Sequence, residues 1–415
     1  MSRFLKPSTG KRVTNFTNLK PARANLDLKN CFKTNPTKAV LLFRELLRKK
    51  VSCIDSYSLL YVIKSCTQKS LFLEGKQSHA FVVKLGFEPI IFLQTSLMDM
   101  YSASANLRGA RKVFDEIPSK NVVCWTSLVT AFAHNQKPNR AIKAFWQMLR
   151  SNVSADPIIL TAVLTACADA GALDVGEQIH ADILKKYRKG TDLPLETALL
   201  NMYAKCGDLS TAKTLFHGMW KKDVATWTSM ILGLAFHGQA EEALMIFASM
   251  EEHNNSHRAK GITVLPNDVT FIGVLMACSH TGRVEEGKRY FRTMVKDYRI
   301  KPRVSHYGCM VDLLCRNGMV KEAYCFIMEM PIPPNAVIWR TLLGSCGIHG
   351  DAKLAAMAHG KLVEMGEALA GDHVMLSNIC AAKGMWEEKA RLRDDMRQRR
   401  IPGRSSIKAG LHIPL

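Results

Sequence analysis

Apolar residues along this chain recur at helical spacing. Trp125, Leu128, Val129 and Phe132 stand at i, i+3, i+4 and i+7, one face of a helix, and Ala141, Ala144, Phe145 and Met148 repeat the pattern. Between them "AHNQKPN" is polar and contains Pro138, which predicts a turn. The elements predicted are therefore pairs of short amphipathic helices. The phrase "VVCWTSLVTAF" at 122–132 returns as "VATWTSMILGL" at 224–234, in register, 102 residues later. That distance divides into units 122–156, 157–192 and 193–223, of 35, 36 and 31 residues. The same cycle accounts for 56–90 and 91–121 before it and for 224–267, 268–303 and 304–335 after it. A degraded leading unit occupies 21–55. A helix pair of this size cannot bury its apolar face alone, so each unit must be covered by the next. Small residues on the second helices (Ala141, Ala144, Ala212, Ala243) allow close approach. Unit 224–267 is longer than its counterpart, and its surplus, near "EEHNNSHRAKGITVLPN", predicts an extended polar loop after the second helix.

Composition narrows the function. The chain has 415 residues, 47% hydrophobic and 22% charged, enough for a large core, and a formal net charge of +21. Such a surplus attracts polyanions, with nucleic acid the leading partner class. The alternative is a basic organellar or ribosome-associated protein without a specific site. No apolar run approaches the roughly 18 residues of a membrane helix. The 12 cysteines, with no secretory leader, read as reduced. Cys31, Cys66, Cys167, Cys278 and Cys346 each fall at the eleventh position of a unit, which marks packing rather than a ligand cluster. No C-x-x-C and no H-x-E occurs, so neither a zinc finger nor a zinc deaminase is expected, and no metal or cofactor. His79, His180 and His306 read as packing or surface residues. P-loop, G-x-S-x-G and G-x-G-x-x-G motifs do not occur. Residues 1–20 carry Arg3, Lys6, Lys11, Arg12 and Lys20 and no acid, the composition of an organelle transit peptide or of a basic tail.

The cycle of three unit lengths, with "NMYAKCGDLSTAKTLF", "ARKVFDEIPSKNVVCWTSLV" and "LMACSHTGRVEEGKRYF", resembles the plant pentatricopeptide repeat (PPR) family, PLS class, over 21–335. "AVIWRTLLGSCGIHGD" and "HVMLSNICAAKGMWEEKARLRDDM" resemble its two extension (E) motifs, placed at 336–404, with 405–415 a short tail. The resemblance implies an all-α fold, a right-handed α-solenoid superhelix that binds single-stranded organelle RNA. E-bearing members are usually site-recognition factors for C-to-U editing. Some members continue into a DYW deaminase domain. The chain instead reads "IPGRSSIKAGLHIPL", so no catalysis is expected of it, and Arg404 and Ser406 stand where relatives place Cys and Trp, which weighs against the tail itself recruiting a deaminase. A deaminase supplied in trans, or an editing accessory protein, would dock through 336–404. No membrane and no small-molecule substrate is implied. The expected compartment is the mitochondrion, the alternative the chloroplast.

The family reads one base per repeat with the fifth and last residues of each unit. An Asp at the last position accepts a hydrogen bond, which suits G or U, and an Asn donates, which suits A or C. By the resemblance, Thr at position five favours purines and Asn pyrimidines. Asn25 with Asp55 then implies U. Thr95 with Asn121 implies A, Thr126 with Asp156 G, Thr197 with Asp223 G, and Thr228 with Asn267 A. Leu60 with Ile90, Thr161 with Asp192 and Ile272 with Arg303 receive no base, and Gly308 with Asn335 is ambiguous. The expected target is U-n-A-G-n-G-A-n-n. The bland alternative is that Thr is simply a common helix-start residue. Three other functions compete. A tetratricopeptide scaffold would have a uniform period of 34. A proteinaceous RNase P would need a large C-terminal domain with clustered Asp. RNA stabilisation, processing or splicing without editing is separated only by the extension motifs.

Overall fold

The computed structural model describes residues 21–48, 54–186, 192–257 and 264–398, so the leader and the tail from 405 lie outside the described residues. Contacts divide the chain into two compact units, Met1–Met202 and Tyr203–Leu415. Among the described residues every regular element is a helix. The N-terminal half contains α1 (Pro21–Thr34), α2 (Pro36–Arg48), α3 (Ser56–Lys69), α4 (Phe72–Lys84), α5 (Ile91–Ala103), α6 (Leu107–Glu116), α7 (Val122–His134), α8 (Pro138–Arg150), α9 (Pro157–Ala170) and α10 (Leu173–Lys186). After α11 (Leu193–Cys206) follow α12 (Leu209–Gly218), α13 (Val224–Phe236), α14 (Ala240–His257), α15 (Asp268–Thr281), α16 (Val284–Lys296), α17 (Val304–Arg316), α18 (Val320–Met328), α19 (Ala336–His349), α20 (Ala352–Glu364), α21 (Ala370–Ala382) and α22 (Trp386–Gln398).

Both compact units are stacks of helix pairs. In the first, α3 packs on α1 and α5, and α7 on α5 and α9, while α2, α4, α6 and α8 each cover the odd-numbered helix that follows. In the second, α13, α15, α17, α19 and α21 form the same succession, with α12, α14, α16, α18 and α20 covering it. This is the layered build of an α-solenoid. Edge-to-face aromatic pairs repeat with it: Phe114 on Trp125 at 4.7 Å and Phe216 on Trp227 at 5.0 Å between ring centres. Backbones approach closely where a side chain is missing. A Cβ on Gly233 would lie 2.6 Å from the Ala204 Cβ, so α13 meets α11 there only as glycine.

The recurring cysteine has a structural role. Cys66, Cys167, Cys278 and Cys346 are at most 1% exposed. Their carbonyls accept the backbone N–H that closes each helix, from Ser70, Gly171, Gly282 and Gly350, all in the left-handed conformation. Burial pushes the Cys66, Cys278 and Cys346 thiols up to about 12. Iodoacetamide at pH 8 should therefore label the exposed Cys325 in the native protein and leave these three intact until denaturant is added. Peptide mass mapping checks this.

One expectation needs correction. The surplus of unit 224–267 is not simply a loop: α14 runs to His257, so "EEHNNSH" is the last part of that helix. Glu251 and Tyr298 explain part of this, because the Tyr298 hydroxyl donates to Glu251 Oε1 at 3.2 Å and ties α14 to the chain after α16.

Candidate nucleic-acid interface

The last residue of a unit stands immediately before the first helix of the next, where it caps that helix. Four backbone N–H groups at a helix start lack intrahelical partners, and an Asp or Asn oxygen satisfies one. Asp55 accepts from Ser58 N, Asn121 from Cys124 N, Asp156 from Ile159 N, Asp223 from Thr226 N, Asn267 from Thr270 N and Asn335 from Ile338 N, all at 2.8–3.1 Å. In each case Oδ1 is the acceptor. The second polar atom of Asn121, Asp156, Asp223, Asn267 and Asn335 has no hydrogen-bond partner among the described residues. In each compact unit the caps are thus fixed carboxylates and amides, and in all but Asp55 one atom holds the helix and one is available.

Position five meets these caps differently from unit to unit. Asn25 Nδ2 donates to Asp55 Oδ2 at 2.7 Å, and Ser58 Oγ donates to Asn25 Oδ1 at 2.6 Å. That pair is closed on itself. Thr228 and Asn267 are joined through a third residue: the Thr228 and Thr270 hydroxyls lie 2.7 Å apart, and Thr270 Oγ1 donates to Asn267 Oδ1 at 2.9 Å. Thr228 is only 6% exposed. The Thr126 and Thr161 hydroxyls donate back to the carbonyls of Val122 and Pro157, and that of Thr95 to Phe92. No direct hydrogen bond joins Thr126 to Asp156 or Thr95 to Asn121 among the described residues. Asp192 is exposed, its carbonyl accepting from Leu195 and Glu196 N–H, and Thr197 is half-buried on α11. A Cβ on Gly308 would meet nothing within 4 Å.

The long units depart from this pattern. Ile90 caps α5 with no side-chain bond. Before α17 the cap is Arg303, whose N–H donates to His306 Nδ1 at 2.9 Å, while His306 Nε2 lies 2.7 Å from the Asp268 carbonyl. The fully buried imidazole holds the N–H of the cap residue, and the Arg303 guanidinium is 69% exposed and 2.6 Å from Asp268. Asn267, Asp268, Lys301 and Arg303 share a groove of about 830 Å³. Near the other caps, Lys120 and Lys222 donate to the carbonyls of Ile117 and Met219 and lie over the rings of Phe114 and Phe216. Burial holds Lys222 below the usual lysine range.

Two contributors were missed by the sequence reading. The third residue of a unit, Ser58, Thr226 or Thr270, binds the preceding cap, and D-x-x-S/T or N-x-x-T would have revealed it. The second residue is apolar and exposed: Tyr57, Phe92, Val123, Ile158, Val269 and Val337. Tyr57 and Phe92 stack, with ring centres 5.5 Å apart. The signal was an apolar residue one place off the buried face.

The PPR repeat model matches residues 95–122, 123–153, 197–224, 225–255, 269–298 and 305–331, and the E motif model matches 349–408. An Arabidopsis thaliana pentatricopeptide repeat-containing protein named as chloroplastic/mitochondrial is 37% identical over 392 residues, 89% of this chain and 59% of its own length. Another, named as mitochondrial, is 36% identical over 368 residues, 88% of this chain and 77% of its own. The chloroplastic CRR2 of the same plant is 37% identical over 361 residues, with 84% and 53% covered. The chain thus spans between 53% and 77% of the length of these curated relatives. Among solved structures, maize PPR10 covers 91% of this chain and 59% of its own at 16% identity, with a TM-score of 0.44.

Proposed function

The chain belongs to the pentatricopeptide repeat family, in its plant PLS class with an E motif, and on that premise we propose that it binds single-stranded organelle RNA and selects the site of C-to-U editing for a deaminase supplied in trans. The observation that carries this reading is the Asp or Asn cap that recurs before first helices in both compact units. An Asp whose Oδ1 is held by its helix presents Oδ2 to the N–H of G or U, and an Asn presents Nδ2 to the ring nitrogen of A or C. Exposed apolar second residues such as Phe92 and Val123 give the bases of their units a non-polar flank. Basic side chains along the stack hold phosphates, a contribution that falls with salt and is blind to sequence. Thr95, Asn121, Thr126, Asp156, Thr197, Asp223, Thr228 and Asn267 are the proposed readers of A-G-n-G-A, and Asn25 with Asp55 reads the leading U by opening the bond between them. The names of the relatives support an organelle, mitochondrion or chloroplast.

The reading extends to a position that is blank. Gly308→Thr fills open space in the unit that Asn335 ends. It should create a preference for A at that register of about 10-fold, roughly one discriminating hydrogen bond, with stability unchanged or slightly raised. Binding to four RNAs differing at that base measures it. The function itself is tested by deep sequencing of both organelle transcriptomes in a loss-of-function line. Loss of editing at one C, four nucleotides beyond the register of the last short unit, supports the proposal and fixes the compartment. Full editing together with a shortened, missing or unspliced transcript would replace it with a processing role.

A further inference from the structure

The second helices α6 and α8 are neighbours in adjacent pairs of the first compact unit and enclose a groove of about 810 Å³. Arg108, Arg111 and Lys112 come from α6, Arg140 and Lys143 from α8. Arg111 is paired with Asp115 at 2.9 Å. The other four are exposed and pair with no carboxylate among the described residues.

The chain contains its own control for this surface. The phrase repeat places α12 and α14 where α6 and α8 stand, 102 residues later. The packing residues are retained: Ala110 and Ala212, Phe114 and Phe216, Ala141 and Ala243, Phe145 and Phe247, Met148 and Met250, all buried. The groove residues are not. Arg108, Lys112, Arg140 and Lys143 are matched by Ser210, Thr214, Glu242 and Met245. There Lys213, in the place of Arg111, reaches Glu242 at 2.6 Å and links α12 to α14. The fold therefore does not require the cations. They also oppose the helix dipole, because Arg108 and Arg140 sit in first turns, where α14 and α16 carry Glu241, Glu242, Glu285 and Glu286. Two cationic walls line one groove, and neither α6 nor α8 carries an acid in its first turn.

We propose that this groove is a docking site for an acidic segment of a protein partner. RNA is the poorer occupant for three reasons. The second helices run antiparallel to the first, so the cations of the first two turns lie far from the caps of the first helices. Asp115 and Glu116 line the groove at the end of α6 that leads to Asn121 and repel a phosphate chain there. The lining also offers no open ring for base stacking, since Phe132 is 6% exposed. A polypeptide sets carboxylates over Arg108, Lys112, Arg140 and Lys143 and hydroxyl donors over Glu116, which an unbroken phosphate chain cannot do.

The test is binding of a fluorescein-labelled Glu/Ser peptide to the full chain, with U-n-A-G-n-G-A RNA measured in parallel. The variant R108S/K112T/R140E/K143M carries the residues of the second copy. It should lose about 10-fold or more in peptide affinity and keep RNA affinity within about threefold, since only the peptide meets these charges. Unchanged peptide binding overturns the proposal. So does an equal loss of RNA binding, which would make the groove a phosphate seat. Zero-length carbodiimide coupling on the unaltered chain stands independently of how the variant folds. It should join peptide carboxylates to Lys112 and Lys143, and coupling only elsewhere refutes the site.

Discussion

Asp156→Asn is expected to leave the protein as stable as before and to change the base favoured at its register from G to A, by roughly 10- to 100-fold in relative affinity. The two halves of this expectation come from different atoms. Oδ1 of Asp156 accepts from Ile159 N–H at 2.9 Å, and an Asn oxygen serves there equally well. The other atom changes from an acceptor to an amide donor, which loses the imino N–H of G and gains the ring nitrogen of A. Asp156→Ala separates the roles from the other side. It should weaken binding without a new preference and cost about 0.5–2 kcal/mol through the lost cap. Thr126→Ala with Thr197→Ala should lower affinity for the expected RNA more than for a scrambled one. Its effect is the smaller, because the Thr126 hydroxyl already donates to Val122 O. Fluorescence anisotropy on matched RNAs and a thermal melt measure both quantities. A parallel loss for every RNA would assign these residues to structure alone.

Phe247→Ala should be the most destabilising of the simple truncations, by about 3–5 kcal/mol. Phe247 is fully buried and lies edge-to-face on Phe271 at 5.7 Å and on Tyr290 at 5.5 Å, joining α14 to α15 and α16. In a stack of repeats the energy lost sits in one nearest-neighbour interface. The damage should therefore reach the Thr228–Thr270–Asn267 network, which spans the same junction, before it reaches Asp156. Urea denaturation gives the stability loss. RNA binding in native buffer should show weaker selection of A at the Asn267 register and an unchanged preference for G at that of Asp156. Equal loss at both registers would show that the stack responds as one body.

The helix faces were legible because burial alternates at helical spacing: Trp125, Leu128, Val129 and Phe132 are all inside. The cysteine phase was legible as packing, though not the reason for it, which is a carbonyl closing the helix. The extent of α14 was hidden. "EEHNNSH" is polar on every side and contains neither Gly nor Pro, so periodicity could not separate a helix end from a loop. His306 was equally opaque, because a His at the third position of a helix looks the same whether it faces solvent or replaces a cap. The proposed readers were found through family resemblance. Their capping bonds follow from local rules, as D-x-x-S/T before an apolar run would have shown. The burial of Thr228 could not be read, since it depends on Thr270, 42 residues along the chain.

The central claim is one base per cap along a single strand. Selection of the purified chain against a randomised single-stranded RNA pool, with sequencing of the bound fraction, tests it most directly. The account predicts enrichment of U-n-A-G-n-G-A, with the G contributed by Asp156 changing to A when Asp156→Asn is selected in parallel. A bound fraction with no consensus, or with one that stays the same in that variant, would contradict it.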